Sequence, residues 1–147
     1  MKRLPSLNDT VIEYNDEFQR SRIRALQSVD EMVEQLVKTL EEKKLLDDTY
    51  IIYTTDNGYH LSQHRLHAEK ECGYENDIHI SLIIRGPSVA KGHTTDIVSS
   101  HTDLAPTIML LAGETPDDFD GTAMPLSEGA TAEAESAERQ EHINIEF

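Results

Sequence analysis

The sequence predicts an α/β fold with a mostly parallel sheet flanked by helices. Three observations carry this. A long amphipathic pattern ends near Lys44. A short β-branched and aromatic run, Tyr50 to Thr54, follows within a few residues. A second such run, Ile80 to Ile84, repeats the pattern. Helix, short turn and buried strand form the repeating unit of wound α/β folds. A chain of 147 residues is long enough for one domain with a hydrophobic core.

The helix is the clearest element. Asn15 is a plausible N-cap, with Asp16 and Glu17 in the first turn, where acids suit the helix dipole. Leu26, Val29, Met32, Val33, Leu36, Val37 and Leu40 recur at three- and four-residue steps and form one apolar stripe. Charged and amide residues from Glu31 to Glu42 fill the other face. Residues 1–14 carry Pro5, Asn8 and Asp9 and read as irregular.

Tyr50-Ile51-Ile52-Tyr53-Thr54 lacks clean alternation, as expected of a strand buried on both faces. The second run ends at Arg85-Gly86-Pro87. Between the strands lie the 25 residues Thr55 to His79, rich in His, Gly and charge. Connections of that length in compact domains are often functional. Thr102 or Asp103 can cap a short helix with Pro106 in its first turn and Gly113 closing it. Residues 127–147 read as an acidic flexible linker with a terminal strand, His142 to Phe147. A strand at the very end of a chain is expected of a truncated domain.

Composition narrows the function. A formal net charge of −15 disfavours nucleic acid and anionic lipid as partners, because both need clustered Lys and Arg. No apolar run approaches the roughly 20 residues of a membrane span. Met1 to Leu7 has a basic start but no apolar stretch after it, so it does not read as a secretory signal, and the compartment is left open. Cys72 is the single cysteine, which rules out an intrachain disulfide.

Chemistry concentrates in Thr54-Thr55-Asp56-Asn57-Gly58-Tyr59-His60, directly after the first strand. In open α/β sheets, ligands sit outside the carboxyl ends of strands. A carboxylate beside an amide supplies two hard oxygen ligands of the kind Ca2+ or Mg2+ takes. Asp-Asn-Gly alone is also a common turn, so local chemistry does not decide between the two readings.

The wider string does more. Thr49 through Leu66, Lys70, Gly73-Tyr74-Glu75-Asn76-Asp77-Ile78, Leu82 through Pro87, Ser100 through Ile108 and Leu111-Ala112-Gly113 together resemble the sulfatase family. Arylsulfatases and N-acetylglucosamine-6-sulfatases are the nearest in pattern. Arg24 through Val33 resembles the family's preceding helix. The likeness covers residues 15–126, read as a partial catalytic domain of the alkaline-phosphatase-like fold.

The resemblance implies hydrolysis of a small-molecule or glycan sulfate ester with Ca2+ as cofactor. It implies Asp56 and Asn57 as metal ligands and Lys70 as a cation on the sulfate and leaving-group side. A fixed ammonium there would stabilise charge on the departing oxygen. His60 is similar to a substrate-side histidine and reads equally as a catalytic contact or a loop histidine. His64 and Arg65 are rim candidates, with His64 counted for substrate binding. The spacing of His64, His67 and His79 makes no zinc site.

The family nucleophile is formylglycine, made from Cys or Ser in a Cys-x-Pro-x-Arg setting. Cys72 is followed by Gly73-Tyr74-Glu75 and does not match, so formylglycine is absent from this sequence. The chain is therefore expected to be inactive alone. The expected missing partner is the N-terminal half of the domain. Two alternatives stand beside the enzyme: a non-catalytic remnant or module completed by another chain, and a related metal-dependent phosphoesterase. Sulfatases are often secreted or lysosomal. Ser62 and Ser88 stand where the family favours glycine, and Ser81 where it favours proline.

Overall fold

Asn8, not Asn15, starts the first helix. Its side chain accepts from the Val11 backbone N–H at 2.9 Å, and α1 runs Asp9–Glu42. The helix therefore begins seven residues before the expected start, inside the stretch read as irregular. This computed structural model describes residues 4–136. The terminal strand expected at residues 142–147 lies outside them. The chain divides into two compact units, Met1–Gly86 and Pro87–Phe147.

In the first unit, α1 spans about 50 Å at 1.5 Å per residue. It ends through Lys44, whose φ of 58° lets the Leu45 N–H reach back to the Leu40 carbonyl at 2.8 Å. None of its residues is buried. Leu26, Met32 and Leu36 of the stripe stay exposed. Val29, Val33, Val37 and Leu40 of the same stripe are half-buried.

Strands β1 (Ile51–Thr54) and β2 (Leu82–Arg85) form a two-stranded sheet. The α/β class holds, with helices and a partial sheet. The relation between these two strands differs from the expected parallel one. They pair antiparallel, with Ile51 opposite Arg85 and Thr54 opposite Leu82. A parallel pair needs a crossover, usually a helix that packs on the sheet. The connection instead folds on itself, and its only α-helix, α2 (Glu75–Ile78), is one turn long. Nor are both faces buried, since Tyr53, Leu82 and Ile83 are exposed. At the end of β2, Gly86 fits where a Cβ would lie 2.1 Å from the Tyr50 ring.

The second unit is organised by α3 (Leu104–Leu111) and the 3-10 turn before it. Ser100 provides the cap, rather than Thr102 or Asp103 alone. Ser100 and Asp103 form a capping box, in which the Ser100 N–H donates to the Asp103 carboxylate at 2.9 Å. The other Asp103 oxygen accepts from the Thr122 N–H at 2.8 Å. Pro106 is buried in the first turn, and Gly113 closes the helix at a φ of 84°. Thr107 is 1% exposed. Its hydroxyl donates to the Asp103 carbonyl at 2.5 Å and accepts from the Met124 N–H at 2.8 Å.

Residues read as a flexible acidic linker form α4 (Glu128–Ser136). The Thr131 hydroxyl ties it to the Pro125 carbonyl at 3.0 Å, and Glu135 meets His93 at 3.2 Å. Three alanines among those nine residues favour helix once the segment is docked. Ser88 opens this unit at a φ of 62°, in the left-handed region.

Two substitutions test this unit. Thr107→Val leaves the buried Met124 N–H without its acceptor and is expected to cost about 1–3 kcal/mol in urea unfolding. Ser88→Gly relieves the left-handed strain and is expected to raise stability by about 1 kcal/mol in the same assay.

Candidate active site

The site grows from the end of β1. The Thr54 hydroxyl donates to the Ser81 carbonyl at 3.0 Å, fixing the strand end against the approach to β2. The next residues make a tight polar turn. The Thr55 hydroxyl donates to the Asn57 carbonyl at 3.1 Å, and the Asn57 N–H donates to Asp56 Oδ1 at 2.9 Å.

A backbone clasp then closes the connection. The Gly58 N–H donates to the Asp77 carbonyl at 2.7 Å, and the Tyr59 N–H to the Asn76 carbonyl at 2.9 Å. Glycine is required, because a Cβ at residue 58 would lie 2.0 Å from the Asn76 carbonyl oxygen. One residue further on, His60 and Glu69 form an isolated antiparallel bridge, with N–H to carbonyl distances of 3.0 and 3.2 Å. The bridge delivers Lys70, the next residue, to the strand end.

Asp56, Asn57 and Lys70 meet there. Lys70 Nζ donates to Asp56 Oδ2 at 2.6 Å. The Asn57 side-chain amide donates to the Lys70 carbonyl. The group lies on an open surface, with the Asp56 side chain 75% and that of Lys70 49% exposed. A shallow hollow on α1, lined by Tyr14, Glu17, Phe18 and Ser21, has none of these residues on its walls. The Lys70 ammonium, by hydrogen bond first and charge second, holds the Asp56 carboxyl below the usual range. Asp56 in turn raises Lys70.

His60 is placed differently. It is 2% exposed, and its Nδ1 donates to both carboxylate oxygens of Asp77, at 2.8 and 2.9 Å. Asp77 is fully buried. No local pattern marks this partner, because the two residues meet only when residues 58 to 77 close as a loop. The ring of His64 stacks on Tyr74, with centroids 4.0 Å apart and 17° between planes. Arg65 turns to the Pro5 carbonyl, with Nε at 2.9 Å. Ser62, His64 and Arg65 all have positive φ, so this short stretch is a strained left-handed turn. Ser62 is buried, and its hydroxyl donates to Asn15 in α1 at 3.2 Å. Phe18 of α1 stacks on Tyr59 at 5.4 Å, and Arg22 lies 4.9 Å over the same ring.

The Asp56–Lys70 pair makes a titration prediction. A carboxylate with a lowered folded-state pKa contributes stability above the ordinary carboxylate range, and that contribution is lost as pH falls through the lowered value. Both groups are exposed, so the contribution is small. The Asp56 carboxyl signal in a carbon-detected NMR titration is expected to move at lower pH than an ordinary aspartate. It is expected to return to the ordinary range in Lys70→Ala.

Comparison with known proteins agrees on one family. The sulfatase family model matches residues 5–114. Sulfatase ppz1 of Metarhizium majus (strain ARSEF 297) is 48% identical over 127 residues, covering 85% of this chain and 30% of that protein. The N-acetylglucosamine-6-sulfatase of Bos taurus is 39% identical over 128 residues, covering 85% of this chain and 23% of that protein. The solved structure of BT4656 in complex with its substrate D-glucosamine-2-N,6-O-disulfate superposes with a TM-score of 0.73 at 30% identity. It covers 88% of this chain and 26% of that one. The chain thus spans less than a third of the length of each of these relatives, with the alkaline-phosphatase-like α/β arrangement. With the family model running through α1, the clasped loop and α3 alike, the chain belongs to the sulfatase family.

Proposed function

We propose that this chain supplies the calcium-ligating and leaving-group side of a sulfate-ester hydrolase. The observation that carries the reading is the meeting of Asp56, Asn57 and Lys70 at the mouth of β1, with Lys70 Nζ 2.6 Å from the Asp56 carboxylate. The donor set fits a hard cation. Asp56 offers carboxylate lone pairs beyond those used by Lys70 and the Asn57 N–H. Asn57 uses its amide hydrogen on the Lys70 carbonyl, so its amide oxygen is left as an acceptor. Bound there, Ca2+ would hold the sulfate oxygens and polarise the sulfur.

Lys70 acts through charge. Its raised pKa keeps the ammonium protonated at neutral pH, which suits an electrostatic partner for an anionic ester rather than a proton acceptor. As negative charge develops on the departing oxygen, the ammonium stabilises it. The substrate class we favour is a glycan sulfate ester. The relative named N-acetylglucosamine-6-sulfatase and the BT4656 complex with a glucosamine disulfate support it. These 147 residues contain no Cys-x-Pro-x-Arg segment or serine equivalent, so the aldehyde nucleophile must come from elsewhere. The exposed Leu26, Met32 and Leu36 of α1 and the exposed Ile83 are apolar surface that the remainder of a sulfatase domain would cover.

Calorimetry and turnover test this reading. Two protein ligands out of six to eight predict a Ca2+ affinity no tighter than about millimolar, lost in Asp56→Ala. The same binding heat in Asp56→Ala would remove the metal assignment. The purified chain is expected to show no p-nitrophenyl sulfate turnover. Steady turnover abolished by Asp56→Ala would refute the inactivity. Mixing with a polypeptide carrying the formylglycine segment of a sulfatase is expected to restore turnover.

A further inference from the structure

The buried side of the same loop carries a second cluster of ligating groups, distinct from Asp56 and Asn57. His60, Cys72 and Asp77 each present one donor atom, and these three atoms lie within 4.8 Å of one another. His60 is 2% exposed, Asp77 is fully buried, and Cys72 is half-buried with a free thiol. We propose that these three residues form a binding site for a thiophilic divalent cation of the Zn2+ type, separate from the hard-oxygen pair Asp56 and Asn57.

Three physical points support it. The first is donor chemistry. Thiolate, imidazole and carboxylate together make a zinc donor set, whereas Ca2+ takes oxygen alone. The second is the state of Asp77. A buried carboxylate is costly unless several donors or a full positive charge compensate it. Among the described residues its side chain accepts from the His60 ring alone, and that ring is itself one of the three donors, so a full positive charge in the site would add to what the ring provides. A divalent cation supplies that charge.

The third point is how the loop holds its ligands. His60 is fixed by the bridge to Glu69, and Asp77 by its backbone clasp to Gly58 and its bond to the Tyr74 carbonyl. Cys72 lies between these anchors, in a run of bends. Zinc–ligand bonds of about 2.0–2.3 Å place neighbouring donors roughly 3.5 Å apart in a tetrahedral site. The three donor atoms lie within 4.8 Å of one another, with His60 Nδ1 2.8 Å from Asp77 Oδ1, so tetrahedral spacing asks only for adjustments of about 1 Å. On binding, the thiol gives its proton to solvent, the neutral His60 ring keeps its single proton on the nitrogen that does not face the cation, and the thiolate, the unprotonated imidazole nitrogen and the carboxylate each donate a lone pair. Three protein ligands leave a fourth position for water.

The test uses the 147-residue chain with Co2+ as a spectroscopic substitute for Zn2+. Co2+ is expected to give a thiolate-to-cobalt charge-transfer band that saturates at one equivalent. Zn2+ should bleach it, and a large excess of Ca2+ should not. Cys72→Ser should abolish the band with the far-ultraviolet circular dichroism unchanged. His60→Gln and Asp77→Asn should each weaken cobalt affinity at least tenfold. Asp56→Ala should leave it unaltered, which separates this site from the calcium reading. No band in the parent chain, or an unchanged affinity in a folded His60→Gln, would overturn the proposal. If His60→Gln and Asp77→Asn fail to fold, alkylation of Cys72 in the parent chain decides. Zn2+ should slow it at least tenfold, and an unchanged rate would overturn the site.

Discussion

The buried contact between His60 and Asp77 is the constraint on which the rest of the first unit depends. Asp77 has no access to water, so its charge must be met inside the protein. His60 meets it with both carboxylate oxygens at hydrogen-bond distance. That pairing draws the far end of the connection back to the mouth of β1. Once it is made, the Gly58 and Tyr59 amides find the carbonyls of Asp77 and Asn76. The bridge from His60 to Glu69 then sets where Lys70 emerges. A buried pair on one side of the loop thus positions an exposed trio on the other.

This division of labour explains why the two histidine-rich parts of the loop behave differently. His60 is locked and its ring is spent on Asp77. His64 is exposed, stacked on Tyr74, and carried on a left-handed turn with Ser62 and Arg65. Strain of that kind persists only where neighbouring bonds enforce it. Here they come from Asn15 and Pro5, so the N-terminal part of α1 and the residues before it act as a brace for the turn.

The site was partly legible in the sequence because its residues are close to one another along the chain. Asp56 and Asn57 are adjacent, and Lys70 lies fourteen positions on in a recognisable string. Asp77 lies in that string but its role is not readable there, because its partner is set by loop closure rather than by spacing. The helix start was misread for a specific reason. Asn8-Asp9 and Asn15-Asp16 have the same capping chemistry and lie seven residues apart, about two helical turns, so either fits the same apolar phase. Strand direction was not encoded at all: a short run such as Ile51-Ile52-Tyr53 reads the same in a parallel or an antiparallel pair. Ser62 and Ser88 were legible as departures from a glycine pattern, and both occupy positive φ, the backbone region glycine adopts most readily.

The two-stranded sheet has one more physical consequence. Among the described residues, β1 and β2 pair only with each other, so each offers a row of amide and carbonyl groups along its outer margin. Such margins zip together with strands of neighbouring molecules unless something keeps the molecules apart. In this polypeptide that something is its acidity, a formal charge of −15. At physiological ionic strength the repulsion reaches only about 8 Å beyond each charge. Colloidal behaviour in solution is therefore governed by salt: dilute buffer keeps the molecules dispersed, and concentrated electrolyte lets exposed margins find one another.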